Sequence, residues 1–188
     1  DLCAAPGGKT LQLAALGARV TAVDDNEGRL KRLRDNLSRT GLRAAVAVED
    51  VRRFRPKGPA DAVLLDAPCT ATGTMRRHPE AGWIKKPGDV QRMSRLQLEM
   101  AGAAARMLRP GGWMVICTCS LQPEEGEQLA ARLLETRKDL KPVAIQDGEV
   151  PGLAEAITPE GWLRLTPALW ADRGGMDGFF AARFEKSS

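Results

Sequence analysis

Residues 61–66 read DAVLLD, four apolar residues between two acids, too short for a helix and without the alternation of a half-exposed strand. A run that is apolar on both faces is what a strand needs when helices cover both sides of a parallel sheet. Working outward, AAVAV at 44–48 has the same character, and ARVTAVD at 18–24 is rich in β-branched residues and closes on an acid. EGRLKRLRDNLSRTG follows that acid, with Leu30, Leu33 and Leu37 at helical spacing and Gly41 placed as a C-terminal stop. The spacing of Met93, Leu96, Met100, Ala103 and Met107 predicts a long helix over 90–108; RPGG at 109–112 breaks it, and WMVICTC is the next strand. A further helix is predicted from Pro123 to about Arg137, with Pro123 suited to the first turn and Glu124 and Glu125 to its positive end. Residues 138–160 read as loop, then GWLRLTP and GFFAARFE as two closing strands. Strand alternating with helix predicts an α/β fold with a doubly wound, mostly parallel seven-stranded sheet.

The 188 residues, 43% hydrophobic and 28% charged, form one domain's worth of chain, able to bury a core without disulfides or metals. No apolar stretch reaches the roughly 20 residues that span a bilayer, which excludes a helical membrane protein as the expectation. The net charge of +4 is compatible with a polyanionic partner. Four cysteines form no CxxC pair and only one histidine is present, so no metal site is expected. Nothing marks a secreted protein; the thiols are read as free and the compartment as cytoplasmic. The chain opens on DLCAAPGGKT, the end of a strand running into a glycine loop, so it reads as an excerpt whose first strand begins upstream.

In a doubly wound sheet, ligands bind beyond the carboxyl ends of the strands. Those ends carry Cys3 and the residues after it, Asp24, Asp50, Asp66 with Cys69, and Cys119. In AAPGGKT, glycines stand where strand turns to helix, letting backbone approach a ligand and leaving amides free to bind it. The pattern is neither the GxGxxG of nicotinamide enzymes nor a phosphate loop. Asp24, ending the next strand, is placed to accept from two ribose hydroxyls, so a nucleoside without a long phosphate tail fits this rim. The second cluster is DAPCTATGTMRRHPE at 66–80 and the third TCS at 118–120. If their strands are neighbours, Cys69 and Cys119 meet across 50 positions. Alternation puts Val115, Cys117 and Cys119 on one strand face: Cys117 lies inside the apolar run and packs, while Cys119 sits at the exit and is available.

LCAAPGGKT, DAPCTATG and TCSLQPEE together resemble the RNA 5-methylcytosine methyltransferases of the Sun/NOL1/NOP2 class. RRHPEAGW and GMDGFFAARFEK are most similar to the bacterial small-subunit ribosomal RNA cytosine-5 methyltransferase branch, and the resemblance runs from Asp1 to Lys186, weakest over 138–160. It implies a class I, Rossmann-like domain that uses S-adenosyl-L-methionine to methylate carbon 5 of a cytosine in RNA. Carbon 5 is a poor nucleophile; a thiolate adding at carbon 6 makes it enamine-like, and the adduct must later be broken. By resemblance Cys119 is the nucleophile, Cys69 assists breakdown of the adduct, and Asp66 hydrogen-bonds the cytosine edge and can also reach the cofactor's methionine end. The cofactor-binding set it implies is Cys3, Ala4, Ala5, Pro6, Gly7, Gly8, Lys9, Asp24, Arg29, Asp50 and Asp66. Lys9 is placed to face either the cofactor's carboxylate or that of Asp66, and Asp50 takes the position that meets the adenine amine. Arg76, Arg77 and His78 form a basic loop for RNA phosphates, alongside Lys85 and Lys86, and Trp83 is placed to stack on a base. Trp162 and Trp170 read as packing residues. Two rival readings are a transfer RNA substrate and an RNA-binding ribosome-assembly module without turnover.

Overall fold

In the computed structural model all residues are described except 81, 82, 84, 85 and 87, so the expectation for Lys85 lies outside the described residues. Three helices and three strands make the first half: α1 (Gly8–Ala15), β1 (Thr21–Asp24), α2 (Glu27–Thr40), β2 (Ala45–Val48), β3 (Ala60–Asp66) and the long α3 (Asp89–Met107). Then come β4 (Leu108–Thr118), α4 (Glu127–Thr136), β5 (Leu140–Pro142), β6 (Leu163–Leu165) and β7 (Phe179–Lys186). β1 pairs β2 and β3 pairs β4, both parallel. Leu2 bridges Val23 on one side and Leu65 on the other, so the first residues occupy the centre of the sheet between β1 and β3. β7 runs antiparallel to β4, and β5 and β6 add to its far edge, also antiparallel. The expected doubly wound α/β class is what forms. Its parallel half carries the strand ends of interest, and its antiparallel half closes the sheet.

Local choices follow the chemistry of the chain. α2 begins at Asn26, whose side chain accepts from the Arg29 amide, and stops at Gly41 in the left-handed region. Its predicted stripe of Leu30, Leu33 and Leu37 is buried. α3 presses Ala101, Ala103, Ala104 and Ala105 against the sheet with almost no exposure, and these small side chains bring helix and strands close together. Leu65, Ile116, Ala182 and Phe180 supply the sheet side of this core.

Three expectations are corrected. RPGG does not precede β4 but sits within it: the pairing slips from Ala60 opposite Leu108 to Ala62 opposite Trp113, so those residues bulge out of register. The helix from Pro123 to Arg137 is interrupted. Pro123–Glu125 is a single 3₁₀ turn, the backbone leaves helical geometry at Gly126 (φ −130°, ψ −103°), and α4 starts afterwards. Glu125, expected at the positive end of that helix, stands in the 3₁₀ turn before α4 and is fully buried. Finally, β4 ends at Thr118, so Cys119 leaves the strand face it was expected to share with Val115 and Cys117. Trp162 packs edge-on against Phe180 with ring centroids 5.9 Å apart, and Trp170 donates its indole N–H to the Gly152 carbonyl.

Candidate active site

The carboxyl ends of β1, β2, β3 and β4 and the turn after Leu2 surround a cavity of about 470 Å³, within the range of small-molecule sites. Of the residues singled out in the sequence, Cys3, Ala5, Asp24, Arg29, Asp50, Asp66, Cys69 and Cys119 line it. Asp25, Val51, Arg52, Ala71, Leu96 and Met100 line it too and were not anticipated in that role. Leu96 and Met100 belong to the apolar stripe of α3, and that stripe carried no sign that its N-terminal part borders a ligand cavity and not solid core.

Asp24 anchors one end. Its side chain is fully buried, and its carboxylate accepts from the Ala5 amide at 3.2 Å, from the Asn26 amide at 3.0 Å, and from the Arg29 guanidinium. Two of those donors fall on one oxygen, which leaves the other, bonded only to Asn26, able to accept again. Gly7 makes the approach possible. It adopts φ 106°, and a Cβ there would stand 2.9 Å from Leu33 Cγ, so any larger residue would push the loop off α2. Gly7 and Ala4 hold the loop and do not face the cavity: Ala4 is buried and donates to the Val23 carbonyl. The Pro6 carbonyl accepts from Asn36 on α2, and Gly8 starts α1 with open space where a Cβ would be. Burial and neighbouring acids push the Cys3 thiol up to about 12, so it packs as a neutral group.

Beside Asp24 on the rim, just beyond the neighbouring strand β2, Asp50 is held by Arg52. The Arg52 amide donates at 2.8 Å and the guanidinium at 2.6–3.2 Å, while its third nitrogen reaches Glu99 on α3 at 3.0 Å. The Arg52 hydrogen bond draws the Asp50 carboxyl below its ordinary range.

The side of the cavity beyond β3 and β4 carries the sulfurs. Cys69 Sγ and Cys119 Sγ stand 3.4 Å apart, both half-buried and neither in a disulfide. The pair is asymmetric. Hydrogen bonding to Cys69 is the main reason the Cys119 thiol is drawn down to about 7, and Lys9 adds to it, against burial and Asp66. Cys69, as the donor, is pushed far up by that same bond and by burial. Cys119 is thus the thiol of the pair that ionises more readily, with Cys69 as the neutral partner beside it. Cys117 is buried, its Sγ 3.6 Å from Asp66 Oδ1, and burial drives its thiol up.

Lys9 Nζ donates to Asp66 at 2.6 Å. Burial pulls the Lys9 ammonium down, but the hydrogen bond and charge of Asp66 outweigh it and leave it raised. Lys9 lines not the larger cavity but a neighbouring one of about 240 Å³ between α1 and the sheet, with Cys117, Val115 and Phe179. The basic loop lies outside both. Arg76 and Arg77 pair with Asp177 at 3.7 and 2.5 Å, and His78 with Glu80 at 3.3 Å, so its charge is partly matched within the chain. Trp83 is 91% exposed. Among the described residues, no group of three or more His, Cys, Asp or Glu stands where it could hold a metal ion.

The model of the 16S rRNA methyltransferase RsmB/F family matches residues 1–185. Ribosomal RNA small subunit methyltransferase B of Sodalis glossinidius is 38% identical over 193 residues, covering 100% of this chain and 41% of the relative. The crystal structure of NSun6 from Pyrococcus horikoshii with SFG superposes with a TM-score of 0.80 at 30% identity, over 98% of this chain and 46% of that one. A methyltransferase homolog protein from the same organism superposes at a TM-score of 0.77 and 30% identity, over 97% of this chain and 59% of the other. The chain thus spans about two fifths of the curated relative it matches. On the match across nearly all of its length, the chain belongs to the 16S rRNA methyltransferase RsmB/F family.

Proposed function

We propose that this domain methylates carbon 5 of a cytosine in RNA, ribosomal RNA of the small subunit foremost, with S-adenosyl-L-methionine as donor and in the cytoplasm, where free thiols persist. The observation that carries the reading is the thiol pair at 3.4 Å, one member favouring the thiolate and the other the thiol, on the wall of a cavity that a buried acid also lines. A reaction needing one nucleophilic sulfur and one proton-bearing sulfur has both within a single hydrogen bond.

The donor set fits the cofactor. Asp24 keeps an acceptor oxygen for a ribose hydroxyl, Asp50 beside it after β2 presents a carboxylate for an adenine amine, and Val51, Leu96 and Met100 offer an apolar wall for a flat base. Ala5, Arg29 and Cys3 complete that half of the cavity, and the glycine turn at Gly7 and Gly8 with Ala4 and Pro6 shapes it. When bound, S-adenosyl-L-methionine supplies the electrophilic sulfonium methyl that the activated base takes up.

The residues of the chain do the rest. Cys119 adds through sulfur to carbon 6 of the cytosine, and Asp66, held by Lys9, orients the base edge by hydrogen bonding. Cys69 assists breakdown of the adduct: the carbon-5 proton passes to solvent water, its electron pair restores the 5,6 double bond, and the bond to Cys119 breaks to release the thiolate. The base must leave its stack to reach this cavity, and Arg76, Arg77 and His78 hold the flanking phosphates. The test is to incubate the protein with methyl-labelled S-adenosyl-L-methionine and small-subunit ribosomal RNA, or transfer RNA as the competing substrate. The reading expects 5-methylcytosine in ribosomal RNA with wild type and none with Cys119→Ala. Label at any other atom, or equal transfer by Cys119→Ala, contradicts it. No transfer to any RNA would favour the assembly-module reading.

A further inference from the structure

Glu125 belongs to no cavity wall, yet it is the most heavily engaged side chain near the thiols. With no solvent exposure, its carboxylate accepts from the Thr70 amide at 2.9 Å, the Thr70 hydroxyl, the Ser120 hydroxyl at 2.6 Å and Gln97 Nε2 at 3.0 Å. Thr70 directly follows Cys69, and Ser120 directly follows Cys119. The two thiol-bearing cysteines are 50 residues apart in sequence, and among the described residues the backbone joins their turns by single bonds and not by a ladder: Ala67 donates to the Cys117 carbonyl at the end of β4, and Gly73 to the Cys119 carbonyl. Side chains join them: Thr70 and Thr72 hydroxyls each stand 3.2 Å from that of Ser120, the Leu121 amide donates to Thr72 at 3.0 Å, and a single carboxylate takes four donors from both turns and from α3. The Glu125 backbone carbonyl also accepts from Thr118 at 3.0 Å, and Gln97 reaches on to the Pro68 carbonyl at 2.8 Å.

We propose that Glu125 is the positioning residue of this site: by strapping Thr70 and Ser120 to one point, it sets the separation and direction of the Cys69–Cys119 hydrogen bond. The proposal rests on the reading of Cys119 as nucleophile and Cys69 as its proton-bearing partner. A buried carboxylate with no cation paired to it among the described residues is a costly way merely to fill space, because desolvation exceeds what neutral donors return unless every lone pair is used. What it offers is short, directional hydrogen bonding that leaves the two turns little freedom. Its charge acts in the same sense, since it helps keep the neighbouring Cys69 protonated and so a donor.

The test reads geometry without RNA or cofactor. Alkylation of Cys119 by iodoacetamide is followed against pH by peptide mass spectrometry in wild type, Glu125→Gln, Thr70→Val and Ser120→Ala, with folding checked by circular dichroism. Glu125→Gln keeps the volume and removes the charge; the other two each delete one hydroxyl and leave the carboxylate. Wild type should titrate near 7. Folded variants should titrate about one pH unit higher, which makes alkylation at pH 7 about fivefold slower. A role limited to stability would lower the melting temperature and leave that midpoint in place, so unmoved midpoints in the folded variants overturn the proposal. Should Glu125→Gln fail to fold, the two hydroxyl deletions decide. Wild type that never methylates RNA while the midpoints still move would refute the functional reading and leave Glu125 as the strap.

Discussion

Replacing Gly73 by alanine tests how tightly the loops around the sulfurs are interlocked. Gly73 donates its amide to the Cys119 carbonyl at 2.9 Å and accepts from the Gly178 amide at 2.8 Å, so three loops meet at this residue. A Cβ there would stand 2.4 Å from the Gly178 carbonyl oxygen and 2.6 Å from the Cys119 carbonyl oxygen. Both are backbone atoms, and relief to ordinary contact requires a shift of about 1 Å in one loop or both. Overpacking of this kind costs roughly 1–3 kcal/mol, and with no flexible side chain to yield, the upper end applies. At this chain length that corresponds to a melting temperature lower by about 6–12 °C. The displacement also acts on Cys119 itself, and a 1 Å misplacement of a reacting group costs on the order of 100-fold in rate. Gly102→Ala in α3 is the control. Its new Cβ would meet nothing nearer than Arg106 Nη1 at 4.0 Å, so helix propensity alone should stabilise the protein by about 1 kcal/mol without touching activity. Differential scanning calorimetry and labelled methyl transfer read both outcomes. Gly73→Ala melting with wild type and transferring methyl at the wild-type rate would refute the reasoning.

Other consequences follow from the same geometry. Cys69→Ala removes the donor that favours the Cys119 thiolate, so the Cys119 alkylation midpoint should rise from about 7 toward an ordinary thiol; an unchanged midpoint would show that Cys69 is not the cause. Methyl transfer should increase with pH through about 7, because the nucleophile is the deprotonated form, and a flat profile there would contradict a thiolate at Cys119. Asp24→Asn puts an amide donor against the Ala5 and Asn26 amides and should weaken S-adenosylhomocysteine binding about tenfold or more by titration calorimetry; an unaltered Kd removes Asp24 from the site. Arg76→Ala and Arg77→Ala should each weaken RNA binding evenly across sequences and lower the slope of log affinity against log salt by about one; an unaltered slope means those arginines stay with Asp177.

Much of the site was legible because it is built from strand ends, and strand ends announce themselves. Asp24, Asp66 and Cys119 each follow a short apolar run, and in a parallel sheet those ends share one rim, which is how Cys69 and Cys119 meet. What escaped is polar and buried. Gln97 lies within the apolar stripe of α3, where periodicity reports burial but says nothing of a partner 28 residues away. Glu125 follows a proline and another acid, so it reads as suited to a helix's positive end; its inward turn depends on Gly126 leaving helical geometry and on donors from a distant loop. Asp177, which occupies Arg76 and Arg77, lies 100 residues on from Arg77, beyond the reach of any local pattern. The bulge at RPGG was hidden for the opposite reason: proline and glycine mark a break in a helix and a bulge in a strand alike.

The central claim, that the sulfur at 119 bonds to the base and the one at 69 helps release it, is tested most directly by trapping the bond. Cys69→Ala is mixed with small-subunit ribosomal RNA and S-adenosyl-L-methionine, denatured, digested, and its nucleotide-bearing peptide identified by mass spectrometry. The account predicts a cytosine adduct on Cys119 that survives denaturation and is absent from Cys69→Ala/Cys119→Ala. An adduct on any other side chain, or full turnover by Cys69→Ala with none trapped, would contradict it.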